Sequence, residues 1–452
     1  VESGVNGKLQ RQNGCSSSQL LSFSTSQLLK GVQMDKIIIN GGKKLKGEVK
    51  ISGSKNSALP ILFAALLTDE PCTIENVPSL ADVNTTIAFL NFIGKKAIKN
   101  GSKVKILSSS SDKYKHVAPY DLVRKMRASV LIMGPLLARL NKVDVSLPGG
   151  CAIGARPVDI HLEAFKKLGA KIEMEGGYVK TAADSGLKGN KIEFRFPSVG
   201  ATENILLASA LAKGKTKIIN AAREPEIVDL ADMLNKMGAK ISGAGSKTII
   251  IEGVEKLHGV RYVVIPDRIE AATYLIAAAI TKGKILLKNV CPEHLKAVID
   301  KLKKCGMEIK ETKNTISAKW VKDLKPCGIS TKIYPGFPTD AQAQWMALMC
   351  LLKGNSCIKE NVFENRFLHV AELQRLGADL TIDGKFVNIK GVDKLSGAPV
   401  MVSDLRAGAA LVLAGLAAKG KSTVSRIYHL DRGYELLEKK LKKIGADIKR
   451  IQ

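Results

Sequence analysis

The sequence predicts an α/β protein built from six repeated units, grouped three by three into two closed bodies, and three observations lead there. First, a helix end, a Gly and a short strand recur at Gly94, Gly169 (KKLGAKI), Gly238 (NKMGAKI), Gly306 (KKCGMEI), Gly377 (QRLGADL) and Gly445 (KKIGADI), at separations of 75, 69, 68, 71 and 68 residues. Second, each unit holds a run that is apolar nearly all round, the mark of a buried helix, and a second helix with an apolar stripe. Third, the period far exceeds the roughly 20–50 residues of common solenoid repeats. Units of this size group into closed bodies, with an open solenoid as the structural alternative. The 452 residues suit two or three domains.

Taken in order, Val1 to Gln33 stands apart: it is rich in Ser, Gln and Gly, holds one acid (Glu2) and has no long periodic pattern. Residues 1–33 are expected to be an extension, disordered or non-native, with a worn targeting peptide as the third reading. A regular segment begins at Met34. The fourth unit shows how each repeat reads. Ala271 to Ile280 (AATYLIAAAI) is a buried helix, ended by Lys282-Gly283 with Gly free to take a left-handed cap. Lys284 to Asn289 is a short strand. Leu295, Val298, Ile299 and Leu302 line one face of a second helix, Gly306 caps it, and Met307 to Lys310 begins the next strand. Lys-Gly also closes the first helix at Lys213-Gly214, Lys353-Gly354 and Lys419-Gly420. The unit is therefore strand–helix–strand–helix–strand–strand.

Composition excludes several classes. The longest apolar runs, such as Leu59 to Leu67, fall short of the roughly 18–20 residues that span a bilayer. Eight scattered cysteines form no CxxC pair, and six histidines show no ligand spacing, so neither a disulfide framework nor a metal site is expected. The net charge of +28 raises nucleic acid as a partner, yet the lysines are spread along the chain without interleaved aromatics. A lysine-rich surface able to attract a polyanionic small substrate fits better.

Four segments stand out from the repeat. Ser52 to Pro60 (SGSKNSALP) puts Lys55 and Asn56 at the start of an apolar helix, an anion site or a plain N-cap. Leu147 to Pro157 (LPGGCAIGARP) brackets Cys151 and Arg156 with glycines and prolines and reads as a functional loop or lid. Asp340 in FPTD precedes a helix, where an Asp usually caps. Six arginines, Arg127, Arg156, Arg268, Arg366, Arg406 and Arg432, recur across the units, three of them at or just before buried helices. Guanidinium forks and helix starts together suit carboxylates and phosphates.

At these motifs Met34 to Gln452 resembles the UDP-N-acetylglucosamine 1-carboxyvinyltransferase family of enolpyruvyl transferases. The matching stretches are SGSKNSALPIL, APYDLVRKMRAS, SLPGGCAIGARPVDIH, SVGAT, NAAREPEIVD, PDRIE, FPTDAQAQ, VFENRF and IYHLDRGYE, in order through all six units. The resemblance implies an inside-out α/β barrel of two domains: 34–54 with 266–452 in one, and 55–265 with catalytic loop 147–157 in the other. It implies transfer of the enolpyruvyl group of phosphoenolpyruvate to the 3′-hydroxyl of UDP-N-acetylglucosamine with release of phosphate, in peptidoglycan synthesis, by addition and elimination and without a cofactor or metal.

The resemblance also implies the site. Cys151 is the matching proton donor and expected fosfomycin target; a thiol with a pKa of about 8.5 keeps its proton at neutral pH. Asp340 is the matching base. Lys55 and Asn56, with Arg127, Arg156 and Arg432, match phosphoenolpyruvate binding. Arg127, Arg156, Pro157, Val158, Asp159, Ile160, Phe196, Pro197, Ser198, Val199, Asp340 and Val362 match nucleotide-sugar contacts. Some relatives carry Lys where Phe196 stands. The loop around Cys151 would close over the cleft and exclude water. The competing readings are the shikimate-pathway enolpyruvyl transferase, which lacks the PGGCxIGxRP loop, and a catalytically dead barrel. The expected location is cytoplasmic, or a plastid if residues 1–33 are a transit peptide, with no nucleic-acid partner and no membrane insertion.

Overall fold

The computed structural model describes residues 35–124, 126–146 and 158–452. The extension 1–33, with Met34, and the whole loop 147–157 around Cys151 lie outside the described residues. Asp35–Ile451 packs as one unit.

Six four-stranded sheets share one wiring. In the third repeat Lys191–Glu193 runs parallel to Lys215–Ile219, which pairs antiparallel with Thr248–Glu252, which pairs antiparallel with Lys240–Ser242. Helix Val199–Ser209 joins the first two strands and helix Pro225–Lys236 leads to the third. The expected strand–helix–strand–helix–strand–strand order is thus present. The sheets stay separate, and among the described residues no closed barrel of strands forms.

Helices lie inside and sheets outside. All thirteen residues of Arg268–Ile280 and all eight of Gln342–Met349 are buried, and these two helices pack on Leu405–Ala417 and on each other. Strands instead alternate, as Phe386–Lys390 does, hiding one face against helices and giving the other to water. Burying a polar backbone all round is possible only because a helix satisfies its own N–H and C=O groups.

Two buried clusters form. One gathers Ile37 to Ile51 with Ala271 to Ile448; the other gathers Ala58 to Val264. The strands explain the split. Lys46–Lys50 precedes the first repeat's helix but pairs with Lys284–Lys288 of the fourth repeat. Arg261–Val263 precedes the fourth repeat's helix but pairs with Cys72–Glu75 of the first. Lys36–Asn40 completes the last sheet, between Lys421–Ser425 and Asp447–Ile451. The exchange makes the chain cross twice at one place. There Ser54 N donates to Ile265 O at 2.7 Å, Asp267 N donates to Ser52 O at 2.9 Å, and Gly53 bridges Pro266.

One local expectation is corrected. At the end of the fourth repeat's buried helix, Lys282 takes the left-handed conformation (φ 53°) and Gly283 does not. Gly283 answers a different need: a Cβ there would sit 2.3 Å from Leu45 O. That close approach belongs to the exchanged segment, which the local sequence does not reveal. Gly214, Gly354 and Gly420 do take positive φ, as does Gly306.

Gly53 sits in the double crossover, where a Cβ would meet Asn76 O at 1.6 Å. Gly53→Ala should therefore push the crossover away from the Asn76 backbone and cost about 1–3 kcal/mol, as overpacking does. A thermal unfolding midpoint equal to wild type would contradict this.

Candidate active site

Ser54 caps helix Lys55–Ala64, its side chain accepting from Ser57 N. The cap fixes Lys55 at the first helical position, with its side chain largely buried rather than solvated. Lys55 Nζ lies 2.8 Å from Asp82 Oδ2. Arg432, last residue of the 3-10 helix Ile427–Arg432, reaches Asp82 Oδ1 at 2.9 Å from Nε. Asp82 is almost wholly buried in the first turn of helix Ala81–Ile93. Burial alone would raise its carboxyl, but the charges of Lys55 and Arg432 outweigh burial and hold it below the usual aspartate value. Asn56 follows Lys55, partly buried.

The crossover links this pair to a second. Asp267 caps helix Arg268–Ile280 by accepting from Ile269 N and Glu270 N, and also accepts from Lys55 N at 3.2 Å. Asp404 likewise caps Leu405–Ala417 by accepting from Arg406 N and Ala407 N. The cap aims Arg406, whose Nε lies 3.4 Å from Asp340 Oδ1. Arg366 reaches the same oxygen at 2.9 Å. Both arginines are buried. Burial opposes the Arg406 charge, and the carboxylates of Asp340 and Asp267 overcome it, leaving the guanidinium more basic than usual. Asp340 itself lies in the 3-10 turn Thr339–Ala341 and makes no N-cap bond there. Its side chain is turned instead to the two arginines.

Glu360 braces this turn. It is buried and accepts from Thr331 Oγ1 at 2.8 Å, Thr339 Oγ1 at 2.9 Å and Val362 N at 2.8 Å. Val362 is thus held through its backbone. Arg268 pairs with Glu226 at 3.0 Å, a buried ion pair joining a residue beside one cluster to a residue beside the other.

The expected nucleotide-sugar residues fall on two helix starts. Ser198 caps Val199–Ser209, with Pro197 in the turn before it and Phe196 exposed at 42%. Val158 precedes helix Asp159–Lys167, in which Ile160 is buried. Asp159 pairs with Arg195 and accepts from Ile160 N at 2.9 Å. Cys151, Arg156 and Pro157 lie outside the described residues, as does the side chain of Arg127. Sequence reasoning missed Asp82, Glu226 and Glu360. The one available signal was Asp82 as an acid in the first turn of a helix, indistinguishable from ordinary pairing of an acid with the helix dipole.

Lys55 and Arg432 thus converge on Asp82, and Arg366 and Arg406 on Asp340, so each of the two carboxylates is met by two cations. Such an arrangement can take an anionic ligand without first displacing a neutral network.

Residues 39–441 match the family model described as EPSP synthase (3-phosphoshikimate 1-carboxyvinyltransferase). A UDP-N-acetylglucosamine 1-carboxyvinyltransferase of Endomicrobium trichonymphae is 76% identical over 418 residues, covering 92% of this chain and 100% of the relative. One from Geotalea uraniireducens is 56% identical over 419 residues, covering 93% of this chain and 100% of that protein. Among solved structures, the enolpyruvyl transferase NikO from Streptomyces tendae superposes with a TM-score of 0.82 at 26% identity, covering 92% of this chain and 99% of its own. An EPSP synthase from Acinetobacter baumannii, at 19% identity and a TM-score of 0.72, covers 92% of this chain and 100% of its own and shares the fold. The inside-out α/β architecture is therefore the one these neighbours have.

Removing Asp82 leaves Lys55 and Arg432 facing each other. Asp82→Asn should cost on the order of 3 kcal/mol, the usual loss when one partner of a buried pair is removed. The sign with pH follows from the lowered carboxyl. Its stabilisation is complete above the unfolded value of about 3.9 and fades as pH falls through the lower folded value. Denaturant titrations of wild type and variant should differ at pH 7 and converge in strong acid; a constant gap would contradict the assignment.

Proposed function

The chain belongs to the EPSP synthase family, in its UDP-N-acetylglucosamine 1-carboxyvinyltransferase branch, and we propose that the residues around Asp82 and Asp340 carry that reaction. The enzyme transfers the enolpyruvyl group of phosphoenolpyruvate to UDP-N-acetylglucosamine in peptidoglycan synthesis. The observation that carries the residue roles is the pairing of two cations with each of Asp82 and Asp340, at positions where the family motifs also fall.

The chemistry sets what each group must do. Phosphoenolpyruvate brings a phosphate and a carboxylate toward a nucleotide diphosphate, so bound charge must offset their repulsion. In our reading Lys55, Asn56 and Arg432 take the phosphoenolpyruvate anion, joined by Arg127 and Arg156. Asp340 removes the proton of the sugar 3′-hydroxyl as its oxygen attacks C2. Cys151 delivers a proton to C3, giving a tetrahedral adduct. Loss of a proton from C3 and of phosphate from C2 then restores the double bond in the product. Arg156 to Ile160, Phe196 to Val199 and Val362 hold the nucleotide sugar. The loop around Cys151 keeps water from the adduct.

Two further statements belong to this reading. The two domains are 34–54 with 266–452, and 55–265; the separate buried clusters and the exchanged strands support that division. The location is the cytoplasm, where the substrates are. Among the described residues no helix is long and apolar enough to cross a membrane.

Phosphate release measured with UDP-N-acetylglucosamine, with shikimate 3-phosphate and with no acceptor tests the activity. Turnover is expected with the nucleotide sugar alone; turnover only with shikimate 3-phosphate would reject the reading. Cys151→Ser should slow turnover by about 100-fold or more, the upper part of the range for a lost general acid, because a hydroxyl is a far weaker acid than a thiol. Nucleotide-sugar affinity in calorimetry should survive. Unchanged turnover in this variant would place the proton source elsewhere.

A further inference from the structure

Tyr434 follows Arg432 by two residues and is buried to 2% exposure. Its hydroxyl lies 2.9 Å from Thr273 Oγ1 and 3.0 Å from Gln344 Nε2. Donor counting sets the directions. Thr273 Oγ1 donates to Ile269 O at 2.9 Å, so it accepts from the tyrosine. Gln344 Nε2 donates to the backbone carbonyl of Asp340 at 3.0 Å and shares its other hydrogen between the tyrosine oxygen and Thr273 Oγ1, 3.2 Å away. That carbonyl can only accept, which fixes the amide with its NH2 end toward Asp340. The Tyr434 ring, meanwhile, lies beneath the Arg406 guanidinium, 5.5 Å from ring centroid to Cζ. One side chain therefore braces Asp340 by two routes: through Gln344 to its backbone, and through Arg406 to its carboxylate.

We infer that Tyr434 is a positioning residue for Asp340, fixing the backbone and the carboxylate of the base together so that it meets the sugar hydroxyl in a single geometry. The inference rests on the reading of Asp340 as the base. Its buried phenol stays protonated: burial raises it, only partly offset by the neighbouring Arg406 charge. Tyr434 thus acts as a fixed hydrogen-bonding post and exchanges no proton with substrate. A purely packing role would be met by the ring alone, so the hydroxyl is what the test must remove.

The experiment is steady-state kinetics, as a function of pH, on the full chain as wild type, Tyr434→Phe, Asp340→Asn and the double variant. Tyr434→Phe should lower kcat by about 10-fold or more, as small displacements of a reacting group do. KM for both substrates should stay within about threefold, since ligand-touching groups are intact. With the Gln344 brace loosened, Asp340 shifts from Arg366 and Arg406 and its carboxylate is stabilised less, so the acidic limb of kcat should move to higher pH. The double variant should be no slower than Asp340→Asn. Wild-type kcat and an unmoved pH limb in Tyr434→Phe, or losses that multiply in the double variant, would overturn the inference while leaving Asp340 as the base. Full turnover in Asp340→Asn would sink the base assignment and this inference with it. Gln344→Met cuts the same network at its other member and is judged by the same outcomes if the phenylalanine variant does not fold.

Discussion

Asp82 is buried and bound to two cations, one next to each of the two buried clusters. Lys55 opens the helix that leads into the Ala58–Val264 cluster, and Arg432 closes a 3-10 turn packed in the Ala271–Ile448 cluster. A carboxylate so far from water is tolerable only with its charge matched. The folded chain must therefore bring two segments some 350 residues apart to the same point before this group can be buried ionised. That requirement ties the proposed catalytic neighbourhood to completion of the fold.

The double crossover meets this requirement. Because Lys46–Lys50 and Arg261–Val263 trade sheets, Ser52 to Lys55 and Ile265 to Arg268 run beside each other. The two crossing segments then carry Lys55, Asp267 and Arg268: Lys55 holds Asp82 on its own side, while Asp267 reaches the Lys55 backbone and Arg268 reaches Glu226. Lys440 and Glu435 add to it, Lys440 binding Glu270 at 2.6 Å and Glu435 accepting from Ser79 N at 2.9 Å. Loops here are anchored by charge-assisted bonds at both ends, which is how irregular backbone can hold reacting groups in place.

What could be read in the sequence follows the range of the forces involved. Helix ends, caps and strand starts are set within a few residues, so the six-fold recurrence and the order of elements were legible from Gly94 to Gly445. Arg268 and Arg406 were legible as arginines at buried helices, since PDRIE and SDLRA each put a capping Asp just ahead of them. Strand partners were not legible from local pattern, because Lys46–Lys50 has the same pattern whichever sheet receives it. Gly283 shows the same limit: its neighbour Leu45 is distant in sequence, and Lys282 absorbs the left-handed turn assigned to it. Asp340 read as a cap from local pattern and as a base from resemblance; the structure withholds the cap and gives it two arginines. Glu360 and Tyr434 carried no signal, since each works only through side chains brought from other units.

The charge of +28 and the charge of the site are separate matters. The lysines of the sheet faces, such as Lys284 and Lys319 side by side across two strands, are solvated, and salt at physiological strength screens them beyond about 8 Å. They add little that a bound anion would feel at the helix ends. Lys55, Arg366 and Arg406 differ because they are buried or nearly so, already desolvated and already oriented. Their cost was met on folding, against Asp82 and Asp340. An arriving anion therefore meets charge that need not shed water or find a rotamer, and preorganisation of this kind, more than the number of lysines, is what lowers a barrier between repelling substrates.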